Sequence, residues 1–268
     1  MKRSTFRAEE VIAIVKSGEA ARKVADVCRG NRITEQTTTG AALLLLLAAF
    51  GCAEPGVELE FRAGHAFSRA EREAIRDVAE RAVADARRQL PALPSHLRIT
   101  IQAGSRVIPE TGETGGIGLP GAVYWTVDPA HDGGVVAIVN AQLRATLLHE
   151  WYHLVREARV PTNSLVDRAI SEGLATAFER DVGGRAPPWA AYPAEVDAWT
   201  AEFLALPGDA PVRDWMYQHP DGRRWIGYKV GTRLADRARL TSGLSLTELA
   251  TLDTNQIVAW ATGKERGR

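Results

Sequence analysis

The chain has few cysteines, no net charge and no apolar run long enough to cross a bilayer. Its 268 residues include two cysteines, Cys28 and Cys52, which are too few for a disulfide network or a zinc site of the four-cysteine type. Lysine plus arginine and aspartate plus glutamate both total 33. Because the formal charge is zero, no overall attraction draws the chain to nucleic acid or to an anionic membrane. The apolar run at residues 41–50 is about half the length of a spanning helix.

Composition and patterning divide the chain into three parts. The chain is 45% hydrophobic, and residues 57–268 form a segment of ordinary domain size that can bury one hydrophobic core. Residues 1–37 form a leader, and residues 38–56 form an apolar segment with a linker. We therefore expect one main domain behind a composite amino-terminal region.

The leader, residues 1–37, resembles the start of the small helix-turn-helix protein of insertion-sequence transposases. The resemblance runs through residues 20–28 and stops near Thr37, before a recognition helix is complete. Eight lysines and arginines against five acidic residues give the leader a net charge of +3, which is modest for binding phosphates. A helix-turn-helix with an incomplete recognition helix should not recognise a specific DNA sequence. We expect a non-functional remnant and no nucleic-acid partner; a transposase-related DNA-binding protein is the alternative that the leader alone favours.

Residues 41–50 and the cysteine close behind them, Cys52, resemble a bacterial lipoprotein signal. Ten apolar residues suit the apolar region of a secretory signal, and the cysteine stands where such a signal is cut and lipidated. Ala49 and Phe50 depart from the usual residues before the cysteine, and Arg32 is the nearest cation. The resemblance implies membrane attachment through lipidated Cys52 and a location in the cell envelope, or secretion. If the signal is not used, the run is a buried apolar helix and the protein is cytoplasmic.

The stretch His149-Glu150-Trp151-Tyr152-His153 has the spacing of a metal-binding helix. On an α-helix the two histidines lie on one face, so both imidazoles can bind one Zn²⁺ at about 2.0–2.1 Å. Glu150 lies beside them, where its carboxylate can take the proton of a water that zinc makes acidic. Apolar residues recur at helical spacing around the motif, which predicts a buried helix in which unsatisfied histidines would be costly. A core with ordinary hydrogen-bonded histidines is the alternative.

The predicted third ligand is Glu172, which follows His153 after eighteen residues. Asn163 or Ser164 can cap the helix that carries it. A glycine inside a helix lowers the stability of that helix relative to alanine. We therefore expect Gly173 to have a packing role, which is to let a neighbouring helix approach closely. Two histidines and one glutamate leave the fourth position of a tetrahedral zinc open for water, as in catalytic sites. The alternative for Glu172 is a solvated carboxylate on the helix face.

These motifs resemble those of the gluzincin metallopeptidases, and their spacing is similar to that of the zinc aminopeptidase branch. The resemblance is closer to a family of predicted bacterial zinc-dependent proteases. The family's pattern of H-E-x-x-H, S-E-G-L-A and a late G-Y-x-x-G recurs here at residues 149–153, 171–175 and 227–231. The match covers about residues 57–268 and implies a zincin-like α+β domain with one zinc per chain. The G-x-M-E-N stretch of the aminopeptidases is absent from the sequence, so endo- and exopeptidase action both stay open.

Sequence patterns predict a small mixed sheet packed on the zinc-binding helix and a mainly helical C-terminal part. Asn140 is predicted to cap the zinc helix. A glycine-rich loop is predicted at 102–121; its G-x-G-x-x-G stretch does not lead from a strand into a helix, so we expect no dinucleotide site. Strand 122–127 is the predicted sheet edge that an extended peptide could join. The predicted strands are 57–63, 97–101, 122–127 and 134–139, the first two of them paired.

Tyr228, in the G-Y-x-x-G stretch, is the candidate donor for the oxyanion. The tetrahedral intermediate of peptide hydrolysis needs a hydrogen-bond donor for its second oxygen, and the resemblance implies that Tyr228 faces the site. A packed core tyrosine is the alternative, and Tyr192, His219 and His131 are competing candidates. Thr176 is a candidate support for a ligand histidine, with a surface position as its alternative.

The sequence thus predicts a zinc-dependent metallopeptidase that hydrolyses peptide or protein substrates. His149, His153 and Glu172 are the predicted metal ligands, Glu150 is the predicted general base, and Tyr228 is the predicted oxyanion donor. A catalytically silent zinc-binding envelope lipoprotein is the alternative.

Overall fold

The structure is a computed structural model that describes residues 56–118 and 122–264. It is an α+β arrangement of one sheet and a mainly helical C-terminal part, as predicted. The strands are β1 (Val57–Phe61), β2 (Leu97–Ala103), β3 (Glu113–Ile117) and β4 (Ala122–Val127). The helices are α1 (Arg69–Gln89), α2 (Gly134–Ile138), α3 (Arg144–Glu157), α4 (Leu165–Gly183), α5 (Val196–Leu204), α6 (Val212–Met216), α7 (Ile226–Ser242), α8 (Leu246–Leu249) and α9 (Thr254–Thr262).

The leader 1–37 and the lipidation site Cys52 lie outside the described residues. The predictions made for them, including the lipoprotein signal within 38–56, therefore stay predictions. Within 56–118 and 122–264, no helix has both the length and the apolar character that crossing a bilayer requires.

The four strands form one mixed sheet in the order β1-β2-β4-β3. β1 pairs with β2 and β2 pairs with β4 in parallel, whereas β3 pairs with β4 antiparallel. The predicted pairing of the first two strands is confirmed, with Leu59 opposite Ile99. Ile101, Val123 and Trp125 are fully buried on the inner face of the sheet. This face packs on the helices, so α3 lies directly against the sheet.

The sheet edge beside α3 is β3, and the prediction of β4 as that edge is wrong. β4 lies between β2 and β3, and residues 113–117 form a strand where a loop was predicted. Glycines explain both errors, because a glycine pair shows no alternation of side chains. They are needed for close packing: a Cβ on Gly115 would lie 2.6 Å from Thr146 Cγ2 and one on Gly116 would overlap with the Tyr124 ring. β3 can therefore lie directly against α3.

The chain enters α3 through helix, and the prediction of a strand at 134–139 is wrong. α2 begins at Gly134 and continues through a π-helical segment, Val139–Leu143, into α3. Asn140 lies inside the π-helical segment and caps no helix. A short apolar run has the same composition in a buried strand and in a buried helix. Gly133, with φ of +82°, is the N-cap residue at which the helix begins.

α4 begins with a capping box and crosses α7 at a pair of glycines. Ser164 accepts a hydrogen bond from the backbone N–H of Asp167, whose side chain accepts one in return. A Cβ on Gly173 would overlap with the backbone of Gly231, and one on Gly231 would overlap with the carbonyl of Ala169. The predicted packing role of Gly173 is confirmed. The contact brings the start of α7 alongside α4.

The far end of α3 is fastened to the C-terminal helices by two buried polar side chains. The hydroxyl of Tyr152 donates to the Leu246 carbonyl at 2.7 Å. The guanidinium of Arg156, which is 1% exposed, donates to the Leu252 carbonyl at 3.1 Å and to the Thr254 hydroxyl at 3.2 Å. These bonds satisfy a buried cation and free carbonyls together, and they fix the C-terminal end of α3.

Candidate metal centre

Three side chains from α3 and α4 bring their ligand atoms to one point. The Nε2 atoms of His149 and His153 lie 3.1 Å apart. Each of them lies 3.2 Å from Oε2 of Glu172. The two histidines are buried and Glu172 is nearly so. The structure therefore brings together the three residues that the sequence predicted as metal ligands.

The other nitrogen of each histidine is held by a side chain of α4. Nδ1 of His149 lies 3.0 Å from Oε2 of Glu179, and Nδ1 of His153 lies 3.1 Å from Oγ of Ser171. An ionised carboxylate can only accept, so His149 donates through Nδ1 to Glu179, and the tautomer that results leaves the lone pair of Nε2 available to a metal ion. Partners of this kind fix the tautomer and ring orientation of metal-binding histidines.

The geometry and chemistry of this cluster fit a zinc ion. Ligands at about 2.0–2.1 Å from a tetrahedral metal are about 3.3–3.4 Å apart, close to the 3.1 and 3.2 Å separations here. Burial alone lowers the pKa of His149, but its hydrogen bonds with Glu172 and Glu179 outweigh burial and raise that pKa well above its usual value. The cluster therefore favours a cation. Three ligands leave one position of a tetrahedral metal open.

Glu150 lies beside the cluster and is not among the three residues whose side chains converge there. Its side chain is buried, and burial raises its pKa although the neighbouring His149 and His153 act in the opposite direction. The carboxylate lies close to Gly115 of β3, since a Cβ on that glycine would be only 2.9 Å from Oε1 of Glu150. It therefore occupies the space between the histidine helix and the sheet edge.

Three tyrosines, Tyr124, Tyr217 and Tyr228, surround the cluster. Burial and then the charge of Glu172 raise the pKa of Tyr228 well above its usual value, so its hydroxyl stays protonated and can donate. Burial and Glu172 also raise the pKa of Tyr217, and burial and Glu150 raise that of Tyr124. The sequence singled out Tyr228 through its motif. Tyr124 and Tyr217 stand in no motif and were missed.

The other predicted candidates lie away from the cluster. Tyr192 donates to Asp236 at 3.3 Å, and His219 and His131 contact groups outside the cleft. Thr176 is fully buried, so the surface alternative is wrong, and its hydroxyl has no hydrogen-bond partner among the described residues. It therefore supports neither histidine.

Sequence reasoning also missed two buried carboxylates near the cluster, Glu179 and Glu113. Glu179 follows Glu172 by seven residues, about two helical turns, and that spacing was the available signal. Glu113 starts β3 and accepts from Trp125 Nε1 at 2.8 Å and from the Thr146 hydroxyl at 3.0 Å. Burial raises the pKa of Glu113 to about 7 despite these bonds. Glu113 lies in the segment that was predicted as a glycine-rich loop, so nothing in the sequence indicated that its carboxylate is buried.

The cluster opens into a cleft of about 690 Å³ bordered by β3, α3, α4 and the start of α7. Trp225 forms part of its wall and has a φ of +59°. Among the described residues it is the only non-glycine residue with a positive φ. Such a conformation costs about 1–3 kcal/mol and persists where surrounding contacts hold it. The rings of Trp189 and Tyr228 each lie 5.5 Å from the Trp225 ring. The strained residue thus anchors an aromatic wall beside the cluster.

The mixed sheet and the histidine-bearing helix are compatible with the zincin-like class of α+β proteins. A family model described as "Predicted Zn-dependent protease (DUF2268)" matches residues 75–259. The match spans more than half of the chain, and the chain therefore belongs to this family. It runs from α1 to α9 and includes the whole metal cluster. No curated protein matches the chain. The finer likeness to gluzincins and the likeness of the leader to transposases stay predictions.

Removing the carboxylate partner of His149 should weaken metal binding. We expect Glu179→Gln to lower zinc affinity by roughly 10- to 100-fold, because the neutral amide no longer polarises the Nδ1–H of His149. Competition with a chromogenic chelator measures the change. Glu80→Gln, an exposed substitution on α1, serves as the control and should keep the wild-type affinity. Equal affinities for both variants would contradict a supporting role for Glu179.

Proposed function

We propose that the protein is a zinc-dependent metallopeptidase that hydrolyses peptide bonds in peptide or protein substrates. The observation that carries the proposal is the convergence of His149, His153 and Glu172, with the separate buried carboxylate of Glu150 beside them. Two neutral imidazoles and one carboxylate with an open fourth position form the ligand set of a catalytic zinc, whereas structural sites are closed by four protein ligands.

Each residue of the site has a role that follows from its chemistry. One zinc ion per chain, held by His149, His153 and Glu172, would polarise a peptide carbonyl and acidify a water molecule. Glu150 accepts a proton from that water and delivers it to the leaving amine. Tyr228 donates a hydrogen bond to the carbonyl oxygen as it gains negative charge. Tyr217, near the same carboxylate, is a second donor of the same kind.

The sheet edge supplies a way to hold the main chain of a substrate. β3 pairs with β4 on one side, and its other side borders the cleft through Thr114, Gly115 and Gly116. An extended peptide can add to such an edge through main-chain hydrogen bonds, which requires no particular sequence. The glycines allow close approach to Glu150. This arrangement favours a peptide over a compact small molecule as the substrate.

Metal removal and restoration test the proposal. The purified full chain should contain about one zinc and hydrolyse denatured casein or a peptide library; a chelator should abolish hydrolysis, and added zinc should restore it. His149→Ala should lose both metal and activity, whereas His96→Ala, at an exposed histidine outside the cleft, should keep both. Hydrolysis by the zinc-free protein would refute the proposal. Bound zinc without hydrolysis of any peptide would favour the catalytically silent protein.

A further inference from the structure

Arg168 is a partly buried arginine whose side chain has no hydrogen bond or ion pair with any residue that the structure describes. Among residues 56–118 and 122–264, every other arginine that is not exposed has a hydrogen bond or an ion pair. The guanidinium of Arg180, for example, meets Asp236 at 2.8 Å, and that of Arg233 meets Asp197 at 2.9 Å. No such contact joins Arg168 to a described side chain. Its unpaired charge therefore needs an explanation.

The position of Arg168 places its side chain in the cleft of the metal cluster. It lies four residues before Glu172 on α4, so the two share one helix face about 6 Å apart along the axis. Its side chain lines the same cleft as His149, His153 and Glu172. Its charge also acts on Tyr217 and lowers the pKa of that residue, against the larger effects of burial and Glu172. A cation thus stands one helical turn from the reacting centre.

Desolvating a guanidinium without an acceptor costs free energy that a ligand can recover. A charged group that loses water without gaining a partner is destabilising. The planar fork of arginine matches a carboxylate through two parallel hydrogen bonds. Glu157 on α3 is an exposed acidic residue that also lines the cleft, and it makes no ion pair with Arg168 in the described part of the chain. An anion that enters the cleft therefore finds an arginine that is not already paired.

We propose that Arg168 binds a carboxylate of the substrate, close to the bond that is cleaved. The proposal rests on the proposed peptidase function and narrows its substrates to peptides with a negative charge at this point. The carboxylate is either the C-terminus of the peptide or an aspartate or glutamate side chain. No bond is made or broken at Arg168; it positions the substrate by a charge-assisted hydrogen bond.

Binding of matched peptides tests the proposal without turnover. The zinc-loaded full chain with Glu150→Gln is titrated calorimetrically with three probes: acetyl-Ala-Phe-Ala with a free C-terminus, its C-terminal amide, and the amide with aspartate in the last position. We expect at least one acidic probe to bind about 10- to 100-fold more tightly than the neutral amide. Preference for the first identifies the C-terminal carboxylate, and preference for the third identifies the side chain.

Substitutions assign that preference to Arg168. Arg168→Gln should abolish it, and Arg168→Lys should keep a part of it, because lysine keeps the charge but loses the two-pronged geometry. Arg159→Gln, at an exposed arginine outside the cleft, should change nothing. Thermal unfolding of each variant shows that the fold is intact.

The outcomes separate this proposal from the function on which it rests. Failure of both acidic probes to bind more tightly than the amide, or a preference that survives Arg168→Gln, overturns the role of Arg168. Hydrolysis of casein by the chain with Glu150 unchanged is a separate measurement. If casein is cleaved while charge has no effect on probe binding, only the role of Arg168 fails; if casein is not cleaved, the peptidase function itself fails.

Discussion

Replacing Glu150 by glutamine should lower kcat on peptide substrates by about 10²- to 10⁴-fold, the usual contribution of a general acid–base residue. Glutamine has nearly the same size and fills the same space beside Gly115, but it cannot take a proton from water. The three ligand atoms of His149, His153 and Glu172 are unchanged, so the variant should bind as much zinc as the wild type. Steady-state kinetics and metal content, measured on the same preparation, test both parts.

The control for Glu150→Gln is Glu80→Gln, which removes the same charge from an exposed position on α1. It should keep wild-type kcat and zinc content. A Glu150→Gln variant with undiminished activity would end the proposal that this carboxylate activates water. Loss of zinc in that variant would instead show that Glu150 contributes to the metal site, and its role would have to be revised.

Replacing Gly173 by alanine should destabilise the domain by about 3 kcal/mol or more, because the added methyl group overlaps with the backbone of Gly231. Backbone cannot rotate away as the end of a flexible side chain can, so α4 and α7 must separate. For a domain of this size the loss corresponds to a melting temperature lower by roughly 6 °C or more. Gly231→Ala should act in the same way through Ala169. Calorimetry measures both.

The matched control for the helix crossing is Gly183→Ala on the same helix. A Cβ there would lie 3.5 Å from the Cβ of Ala145, an ordinary contact, and the residue has no positive φ. This change should leave the melting temperature equal or slightly higher, because alanine restricts the unfolded chain. Gly173→Ala with wild-type stability would contradict the close crossing of α4 and α7.

The helix crossing also ties stability to the site. Gly173 directly follows Glu172, and Gly231 follows Tyr228 by three residues, less than one helical turn. The two glycines therefore determine how closely the phenol of Tyr228 approaches the carboxylate of Glu172. A variant that folds with separated helices should retain zinc and lose activity, since the ligands lie on α3 and α4 and the phenol lies on α7.

The convergence of His149, His153 and Glu172 was predictable because the spacing of these residues is local. His149 and His153 lie four residues apart on one helix, and that period alone aims both at one point. Glu172 was predictable because it lies on the next helix, beside the glycine that permits close packing. The α+β class and the pairing of β1 with β2 followed from alternation of apolar and polar residues, a signal that depends only on neighbours in sequence.

The errors arose where local patterns are silent or ambiguous. β3 contains two adjacent glycines, so its sequence shows no alternation of apolar and polar side chains. This edge strand was therefore predicted as a loop, and β4 was predicted as the edge of the sheet. The run at 134–139 is apolar on all sides, so its period could not separate helix from strand. Glu113 and Arg168 have no local signature at all; their burial depends on segments distant in sequence that pack over them.

The sequence by itself predicted the three residues that converge in the cluster, the helix that carries two of them and the class of the fold, because each rests on spacing within one segment or between consecutive segments. Only the tertiary structure decided which strand borders the cleft, which carboxylate contacts His149 and which arginine has no partner among the described residues. Those properties depend on distances between atoms far apart in the chain, and burial and electrostatics change with such distances rather than with sequence separation.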